Sequence, residues 1–205
     1  MKDYENVTVV PNPIAPVEYT PSSSSRTVLY LGYVVKTKGM EELVKAWKEI
    51  HEAYPEWKLR IVGAYVEEYK KNLNSIYSDD SIEYTGQKSH EEAMEELKNA
   101  GVFVLPSYME GFPYSVCEAM FCGKAIVAAN VGAIPVMLSD EAGILCKAKD
   151  VGSLVEKLRL VISDNALREK LGMTASIKAN AQYAESVVME RYKAIWGCNK
   201  KDLKV

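Results

Sequence analysis

The stretch TVLYLGYVVKTKGMEELVKAWKEIHEAYPEWKLRIVG, residues 27–63, contains two strand-like segments with a helical segment between them. Residues 27–34 are apolar and rich in β-branched side chains, which predicts a buried strand. Residues 39–54 carry apolar side chains at helical spacing, and Pro55 ends that pattern. Residues 58–63 predict a second strand that closes on a glycine. The order strand, helix, strand is typical of a right-handed βαβ unit in a parallel sheet.

The same alternation continues along the chain. Further strands are predicted over residues 82–86, 101–107, 124–130 and 142–146. Further helices are predicted over residues 67–78, 89–100, 114–121, 151–164, 165–181 and 184–196, with Ser89 as a candidate N-cap. The sequence therefore predicts an α/β fold, a Rossmann-like doubly wound parallel sheet with helices on both faces.

The N-terminal stretch PNPIAPVEYTPSSSS, residues 11–25, has four prolines and four consecutive serines, which is typical of an extended linker. We predict an interdomain linker over residues 1–25, a Rossmann-like domain over 26–183, and a C-terminal helix and tail over 184–205. A linker at the start of a domain also predicts that another domain precedes it.

The 205-residue chain has a formal net charge of −3 at pH 7, with its lysines dispersed among acidic residues. This pattern does not favour nucleic-acid binding, which needs clustered Lys and Arg. No apolar run approaches the roughly 20 residues that span a bilayer, and the N-terminus lacks the apolar core of a signal peptide. We therefore expect a cytoplasmic protein.

Cysteine and histidine spacing gives no support for a metal site. Neither His51 nor His90 has a partner at metal-ligand spacing, and the sequence has no CxxC pair. Reduced structural thiols are the favoured interpretation of the four cysteines, Cys117, Cys122, Cys146 and Cys198. A zinc site and a Cys–His nucleophile are both poorly supported, and we expect no metal.

The loop after the first strand is a candidate for phosphate binding. In open parallel sheets, ligands bind outside the carboxyl ends of the strands. Gly32 allows close approach of the backbone, and Lys38 stands just before a helix start, where free N–H groups attract phosphate. The chain has neither GxGxxG nor GxxxxGK[ST], which weighs against an NAD dehydrogenase and a P-loop NTPase.

The stretch EGFPYSVCEAM, residues 110–120, follows the most hydrophobic strand. Pro113 suits the first helical position, which puts Glu110 on the loop and Glu118 in the first turns of the helix. Both carboxylates can then flank a ligand at the helix N-terminus, and carboxylates bind hydroxyls well. A nucleotide sugar has phosphates between hydroxyl-rich groups. One alternative remains open at this point: Ser115 and Glu118 fit a capping box.

Three segments resemble retaining glycosyltransferases of the GT-B fold, glycosyltransferase family 4. VVPNPI (residues 9–14) resembles the interdomain stretch, and LGYVVKTKGMEELVKAW (residues 31–47) resembles the G-R-x-x-x-x-K-G segment. AGVFVLPSYMEGFPYSVCEAMFCGKAIVAANVGAIPVM (residues 100–137) resembles the block with the E-x7-E motif. The resemblance covers residues 9–196, and its motifs are specific in combination.

This resemblance implies the C-terminal, donor-binding half of a hexosyltransferase-type enzyme. Such an enzyme transfers a sugar from a UDP, GDP or ADP sugar to an acceptor hydroxyl, here in surface polysaccharide or glycoconjugate synthesis. The N-terminal acceptor domain is then absent from this chain, which should be inactive alone. The resemblance implies no metal and no cofactor, and it allows peripheral membrane association of the full-length enzyme. Two alternatives stay open, a GT-B nucleotide-sugar epimerase and a non-catalytic nucleotide-sugar binding module.

The resemblance also implies roles for individual residues. The catalytic pair is Lys38, at the donor diphosphate, and Glu110, at the donor sugar. Glu118 binds the ribose. The remaining donor-binding residues are Gly32 and Tyr33 beside the diphosphate, Phe112, Pro113 and Tyr114 at the sugar and distal phosphate, Ser115 and Val116 as amide donors, and Gly63, Gly86 and Gln87 around the base.

One position departs from the pattern of the family. The family commonly has arginine after the glycine of the first strand, and this chain has Tyr33 there. Three expectations are open: Lys36 or Lys38 carries the charge alone, the missing half supplies a cation, or the donor binds less tightly.

Overall fold

A computed structural model describes residues 8–15, 17–21 and 25–197. Parts of the predicted linker and tail, together with Cys198, lie outside the described residues. In the described part of the chain, no helix is both long and apolar enough to cross a membrane.

A parallel sheet of six strands forms the centre of the described structure, in the order β3-β2-β1-β4-β5-β6. The strands are β1 (Thr27–Leu31), β2 (Lys58–Val62), β3 (Ile82–Gly86), β4 (Val102–Leu105), β5 (Ala125–Ala129) and β6 (Ile144–Cys146). Every neighbouring pair is parallel. The predicted doubly wound α/β fold is therefore confirmed.

Helices connect the strands and cover both faces of the sheet. They are α1 (Met40–Ala53), α2 (Glu67–Ile76), α3 (His90–Lys98), α4 (Tyr114–Phe121), α5 (Ile134–Met137), α6 (Val151–Ser163), α7 (Asn165–Gln182) and α8 (Glu185–Trp196), with a 3-10 turn at Lys36–Lys38 before α1. From β1 the chain adds β2 and β3 toward one side of the sheet, and from β4 it adds β5 and β6 toward the other side. Right-handed connections therefore place α1 and α4 on opposite faces. Helix α1 packs against α6, and α4 packs against α7.

Burial explains why the strands and helices could be predicted. All residues of β4 and β5 are buried, so both strands are continuous apolar runs. The predicted apolar face of α1 is buried too, with Leu43, Ala46, Trp47 and Ile50 fully inaccessible. Several strands are shorter than predicted: β1 ends at Leu31, because Gly32 turns out of the extended conformation with φ near +154°.

Ser89 is the N-cap of α3, as predicted. Its hydroxyl oxygen accepts a hydrogen bond from the Glu92 N–H at 3.2 Å, and the Glu92 carboxylate accepts one from the Ser89 N–H at 2.9 Å. This reciprocal pair is a capping box, and it fixes the point at which α3 begins.

The segment before β1 is attached near the amino-terminal ends of the strands, opposite the candidate site. The Lys124 side chain is completely buried, and its ammonium donates to the carbonyl oxygens of Thr20 at 2.7 Å and Lys98 at 2.6 Å. Burial lowers the pKa of Lys124 to about 8. The Thr20 N–H also donates to the Cys122 carbonyl oxygen at 3.2 Å. These contacts join the incoming chain to the ends of α3 and α4.

Helix α7 approaches the turn after α4 so closely that a side chain does not fit between them. A Cβ atom built on Gly172 would lie 2.1 Å from the carbonyl oxygen of Gly123. We predict that Gly172→Ala lowers the free energy of unfolding by about 1–3 kcal/mol, although alanine is the better helix former. Urea unfolding measures this change.

Gly152, in the first turn of α6, is a matched control. The nearest atom to a Cβ built there is Asp150 Oδ1 at 3.6 Å, an ordinary contact. Gly152→Ala should raise the free energy of unfolding by about 0.5 kcal/mol. Equal effects at the two glycines would contradict the close approach of α7.

Candidate functional site

The strand order reverses between β1 and β4, and the loops after these two strands carry the predicted charged pair. Lys38 Nζ lies 2.6 Å from Glu110 Oε1. The Glu110 side chain is 8% exposed and that of Lys38 is 28% exposed. Ligands of doubly wound sheets bind in the crevice at this reversal. The structure thus brings together the two residues that were predicted to be catalytic.

Two hydrogen bonds from Tyr108 hold these loops in place. Its backbone N–H donates to the Thr37 carbonyl oxygen at 2.8 Å, and its hydroxyl donates to Glu42 Oε2 on α1 at 2.7 Å. Burial, and then the hydrogen bond to Glu42, raise the pKa of Tyr108, so the phenol stays a donor. The two loops therefore form one unit.

The loop after β5 supports Glu110 from the other side. Gly132 has φ of +56°, and a Cβ atom there would lie 1.8 Å from the Glu110 carbonyl oxygen. The Ala133 N–H donates to the Gly111 carbonyl oxygen at 3.1 Å. Only glycine permits this approach, so residue 132 is a support that the sequence prediction missed.

Helix α4 begins at Tyr114, with Pro113 at the N-cap. The predicted helix over residues 114–121 is therefore confirmed, and Pro113 lies at the N-cap, one residue before the first helical position that it was expected to suit. Proline has no side-chain acceptor, so no side chain caps the helix, and the first turn contains no acid. The first N–H groups of a helix have no intrahelical partner. Those of Tyr114, Ser115 and Val116 are consequently suited to an anion.

The capping-box alternative for Glu118 is wrong. Ser115 lies inside α4 and the N-cap is Pro113, so Ser115 cannot act as the cap. The Glu118 carboxylate instead faces α3, where its Oε1 lies 3.7 Å from His90 Nδ1. Burial raises the pKa of Glu118, and the neighbouring His90 partly offsets this effect. Glu118 is thus a largely buried carboxylate whose charged form is disfavoured.

A cavity of about 360 Å³ opens beside Glu118, between α3, α4 and residues 13–15, 17 and 18. His90, Tyr114 and Lys98 lie on its lining. Sequence reasoning missed His90, because a single histidine at a helix start carries no spacing signal. The cavity therefore leaves open space beside the Glu118 carboxylate at the N-terminal half of α4.

A second, mainly apolar cavity of about 170 Å³ lies where β1, β2 and β3 end. Four of the predicted donor-binding residues, Gly32, Tyr33, Gly63 and Gln87, are on its lining. Gly86 is not on this lining. Its carbonyl oxygen accepts a hydrogen bond from the Gly63 N–H at 2.9 Å, which ties the two strand ends together.

The aromatic residues Phe112 and Tyr30 pack or hydrogen-bond against residues of the candidate site. The Phe112 ring packs edge to face on Tyr114 and Tyr183, with centroids 6.2 and 5.5 Å away. The buried Tyr30 hydroxyl donates to the Tyr33 carbonyl oxygen at 2.6 Å. Burial, and then the nearby Glu110, raise the pKa of Tyr30. Tyr30 was missed because it lies within an apolar strand pattern.

The fold is that of a Rossmann-like α/β protein, and the candidate ligand site lies at the carboxyl ends of its strands. The family model described as glycosyl transferases group 1 matches residues 15–177, and the chain belongs to this family. It spans about half the length, or less, of the curated relatives that it matches.

Two relatives illustrate the similarity in sequence. An uncharacterized glycosyltransferase of Haemophilus influenzae is 29% identical over 189 residues, which cover 90% of this chain and 53% of the relative. N,N'-diacetylbacillosaminyl-diphospho-undecaprenol alpha-1,3-N-acetylgalactosaminyltransferase of Campylobacter jejuni is 38% identical over 117 residues, which cover 57% of this chain and 30% of the relative.

Solved structures show the same fold. The C-terminal domain of a glycosyl transferase group 1 family protein from Francisella tularensis superimposes with a TM-score of 0.72 at 23% identity, covering 83% of this chain and 98% of that domain. Anabaena HepE, solved with UDP and glucose, gives a TM-score of 0.79 at 16% identity, covering 95% of this chain and 58% of HepE. The predicted C-terminal half of a GT-B fold is confirmed.

The buried Glu118 carboxylate gives a prediction about stability. A carboxyl whose pKa is raised on folding stabilises the folded state below its ordinary pKa, and this contribution is lost as the pH rises through the raised value. Glu118→Gln should therefore have a higher free energy of unfolding than the natural chain at about pH 7.5, and the difference should shrink toward pH ~4.5. Urea unfolding at both pH values measures it.

Glu92→Gln is the control, because its change in the free energy of unfolding near neutral pH should have the opposite sign. The hydrogen bonds from the Ser89 N–H and hydroxyl lower the pKa of the Glu92 carboxyl, so its contribution is present above the ordinary carboxyl pKa. This variant should be less stable than the natural chain near neutral pH. A loss of stability in Glu118→Gln at neutral pH would mean that Glu118 is a structural residue.

Proposed function

We propose that this chain is the donor-binding domain of a retaining glycosyltransferase, which transfers a sugar from a nucleotide-sugar to an acceptor hydroxyl. The observation that carries the proposal is the Lys38–Glu110 pair at the strand-order reversal, beside the uncapped N-terminus of α4. Membership of the glycosyl transferases group 1 family supports it. HepE, which has the same fold, was solved with UDP-glucose.

The cationic side of the site suits a diphosphate. The Lys38 ammonium has three donors, of which one is directed at Glu110. The first N–H groups of α4 add further donors and the positive end of the helix dipole. When the bond between the anomeric carbon and the phosphate oxygen breaks, negative charge grows on the departing diphosphate. Preorganised donors at that position stabilise the transition state.

The two glutamates suit the hydroxyl groups on either side of the diphosphate. Carboxylates are strong acceptors, and hydrogen bonds to a charged acceptor are stronger than neutral ones. We assign Glu110 to the donor sugar and Glu118 to the ribose. In a retaining reaction, the acceptor oxygen bonds to the face that the diphosphate leaves, and the acceptor proton passes to a phosphate oxygen. No side-chain base and no metal are then required.

The rest of the enzyme belongs to this proposal as well. Because the chain spans about half of its relatives, we propose that an N-terminal domain supplies the acceptor site and that this chain alone binds donor without transfer. A relative of Staphylococcus aureus, 27% identical over 180 residues, is the capsular polysaccharide biosynthesis glycosyltransferase CapM. Surface polysaccharide synthesis in the cytoplasm, with peripheral attachment to the membrane, is the role that we infer.

Calorimetry with UDP, GDP and ADP tests the donor site. At least one of these nucleoside diphosphates should bind the 205-residue chain. Its affinity should stay the same when EDTA is added to remove metal ions. Lys38→Met and Glu118→Gln should each weaken that binding about tenfold or more, since each removes a charge-assisted hydrogen bond. The same chain, given the nucleotide-sugar of the diphosphate that it binds together with an acceptor sugar, should show no transfer.

Lys45→Met is the matched control for Lys38→Met, because Lys45 is an exposed lysine on α1. It should leave the affinity unchanged. Absence of binding by all three nucleotides at millimolar concentration would overturn the donor-site assignment.

Tyr33 gives a separate prediction. Its side chain is exposed and lies beside Gly32, where the family commonly has arginine. Tyr33→Arg should tighten binding of the preferred diphosphate about fivefold or more, because a guanidinium binds phosphate strongly. It should leave binding of the corresponding nucleoside unchanged, and Tyr33→Phe should alter neither. An unchanged diphosphate affinity would mean that residue 33 does not face the phosphates.

A further inference from the structure

Lys88 is on the lining of the mainly apolar cavity at the ends of β1, β2 and β3. The lining includes Tyr33, Gly63 and Gln87 together with Lys88, and the cavity measures about 170 Å³. The Lys88 side chain is 23% exposed, so its ammonium is partly withdrawn from solvent. No motif in the sequence indicated this residue.

A network of charged side chains holds the Lys88 ammonium in place. Lys88 Nζ lies 2.9 Å from Glu96 Oε1 on α3. The same oxygen accepts a hydrogen bond from Arg60 Nη2 on β2 at 2.8 Å, and Arg60 Nε binds the other oxygen. Burial by itself would raise the pKa of Glu96, but the hydrogen bonds from Arg60 and Lys88 outweigh it and lower that pKa. Glu96 therefore remains a carboxylate, which anchors Lys88.

An anchored ammonium distinguishes between bases by hydrogen-bond polarity. Lysine has three donors and no acceptor, and one donor is directed at Glu96. A base with an exocyclic oxo group offers an acceptor to the remaining donors. A base with an exocyclic amino group at the same position presents N–H donors to N–H donors, which leaves both unpaired. Gln87 has an amide with both donors and an acceptor, so it can adapt to either base.

We propose that Lys88 is a specificity residue for the base, which selects a nucleotide-sugar with an oxo base, uracil or guanine, over one with an amino base. This inference rests on the proposed donor-binding function. To that function it adds a residue that determines which nucleotide-sugar is bound. In this proposal the Lys88 ammonium, which Glu96 anchors, meets the base from the cavity lining.

Two pairs of nucleotides isolate the contact, because each pair differs at the exocyclic group that the proposal concerns. UDP carries an oxo group at position 4 where CDP carries an amino group, and IDP and ADP differ in the same way at position 6. IDP is used in place of GDP because guanine also carries a 2-amino group that adenine lacks. The chain should bind either the pyrimidine pair or the purine pair more tightly. Within that pair, calorimetry of the 205-residue chain should show about tenfold tighter binding of the nucleotide with the oxo group. Lys88→Met should abolish that preference, and Lys88→Arg, which keeps the donors, should retain it.

The pattern across variants separates selection from a structural effect. Lys157→Met, at a lysine on α6, should change neither affinity nor preference. Urea unfolding of Lys88→Met and Lys88→Arg establishes that both are folded during the measurement. Equal affinity for both members of each pair, a preference that survives in Lys88→Met, or equal weakening of all four nucleotides would overturn the inference and leave the proposed function standing. Failure of all four nucleotides to bind would overturn both.

Discussion

The contact between Lys38 and Glu110 joins two loops that are 72 residues apart in the chain. It exists because β1 and β4 are neighbours at the point where the strand order reverses. Two charges withdrawn from water destabilise a fold unless each has a partner, and here each charge is the partner of the other. The supports around the pair, from Tyr108 and Gly132, fix its position before any ligand arrives.

The way in which helices are capped separates the candidate site from the scaffold. Ser89, Asp150 and Asp164 provide side-chain oxygens for the N-termini of α3, α6 and α7. Helix α4 has Pro113 at that place and no acid in its first turn. A side-chain cap there would occupy the N–H groups that an anion needs. The local stability of α4 must instead come from burial, and residues 116, 117 and 119–121 are buried.

Sequence reasoning predicted the parts of the molecule that depend on short-range patterns. Buried parallel strands are apolar runs, and α1 shows its buried face at helical period, so both could be recognised. The contact of Glu118 with His90 and the network around Glu96 connect distant residues through polar side chains, which leave no periodic signal. The capping-box pattern at Ser115 misled because it depends on where the helix begins, and Pro113 sets that point.

The burial of Lys124 has a consequence for how the sequence can vary. Its ammonium binds the main-chain oxygens of Thr20 and Lys98, and every amino acid at those positions supplies the same oxygen. Substitution at 20 or 98 thus leaves the acceptor in place, whereas substitution at 124 removes all the donors at once. The two hydrogen bonds from the Lys124 ammonium therefore depend on the identity of residue 124 alone, and residues 20 and 98 can vary without removing either acceptor.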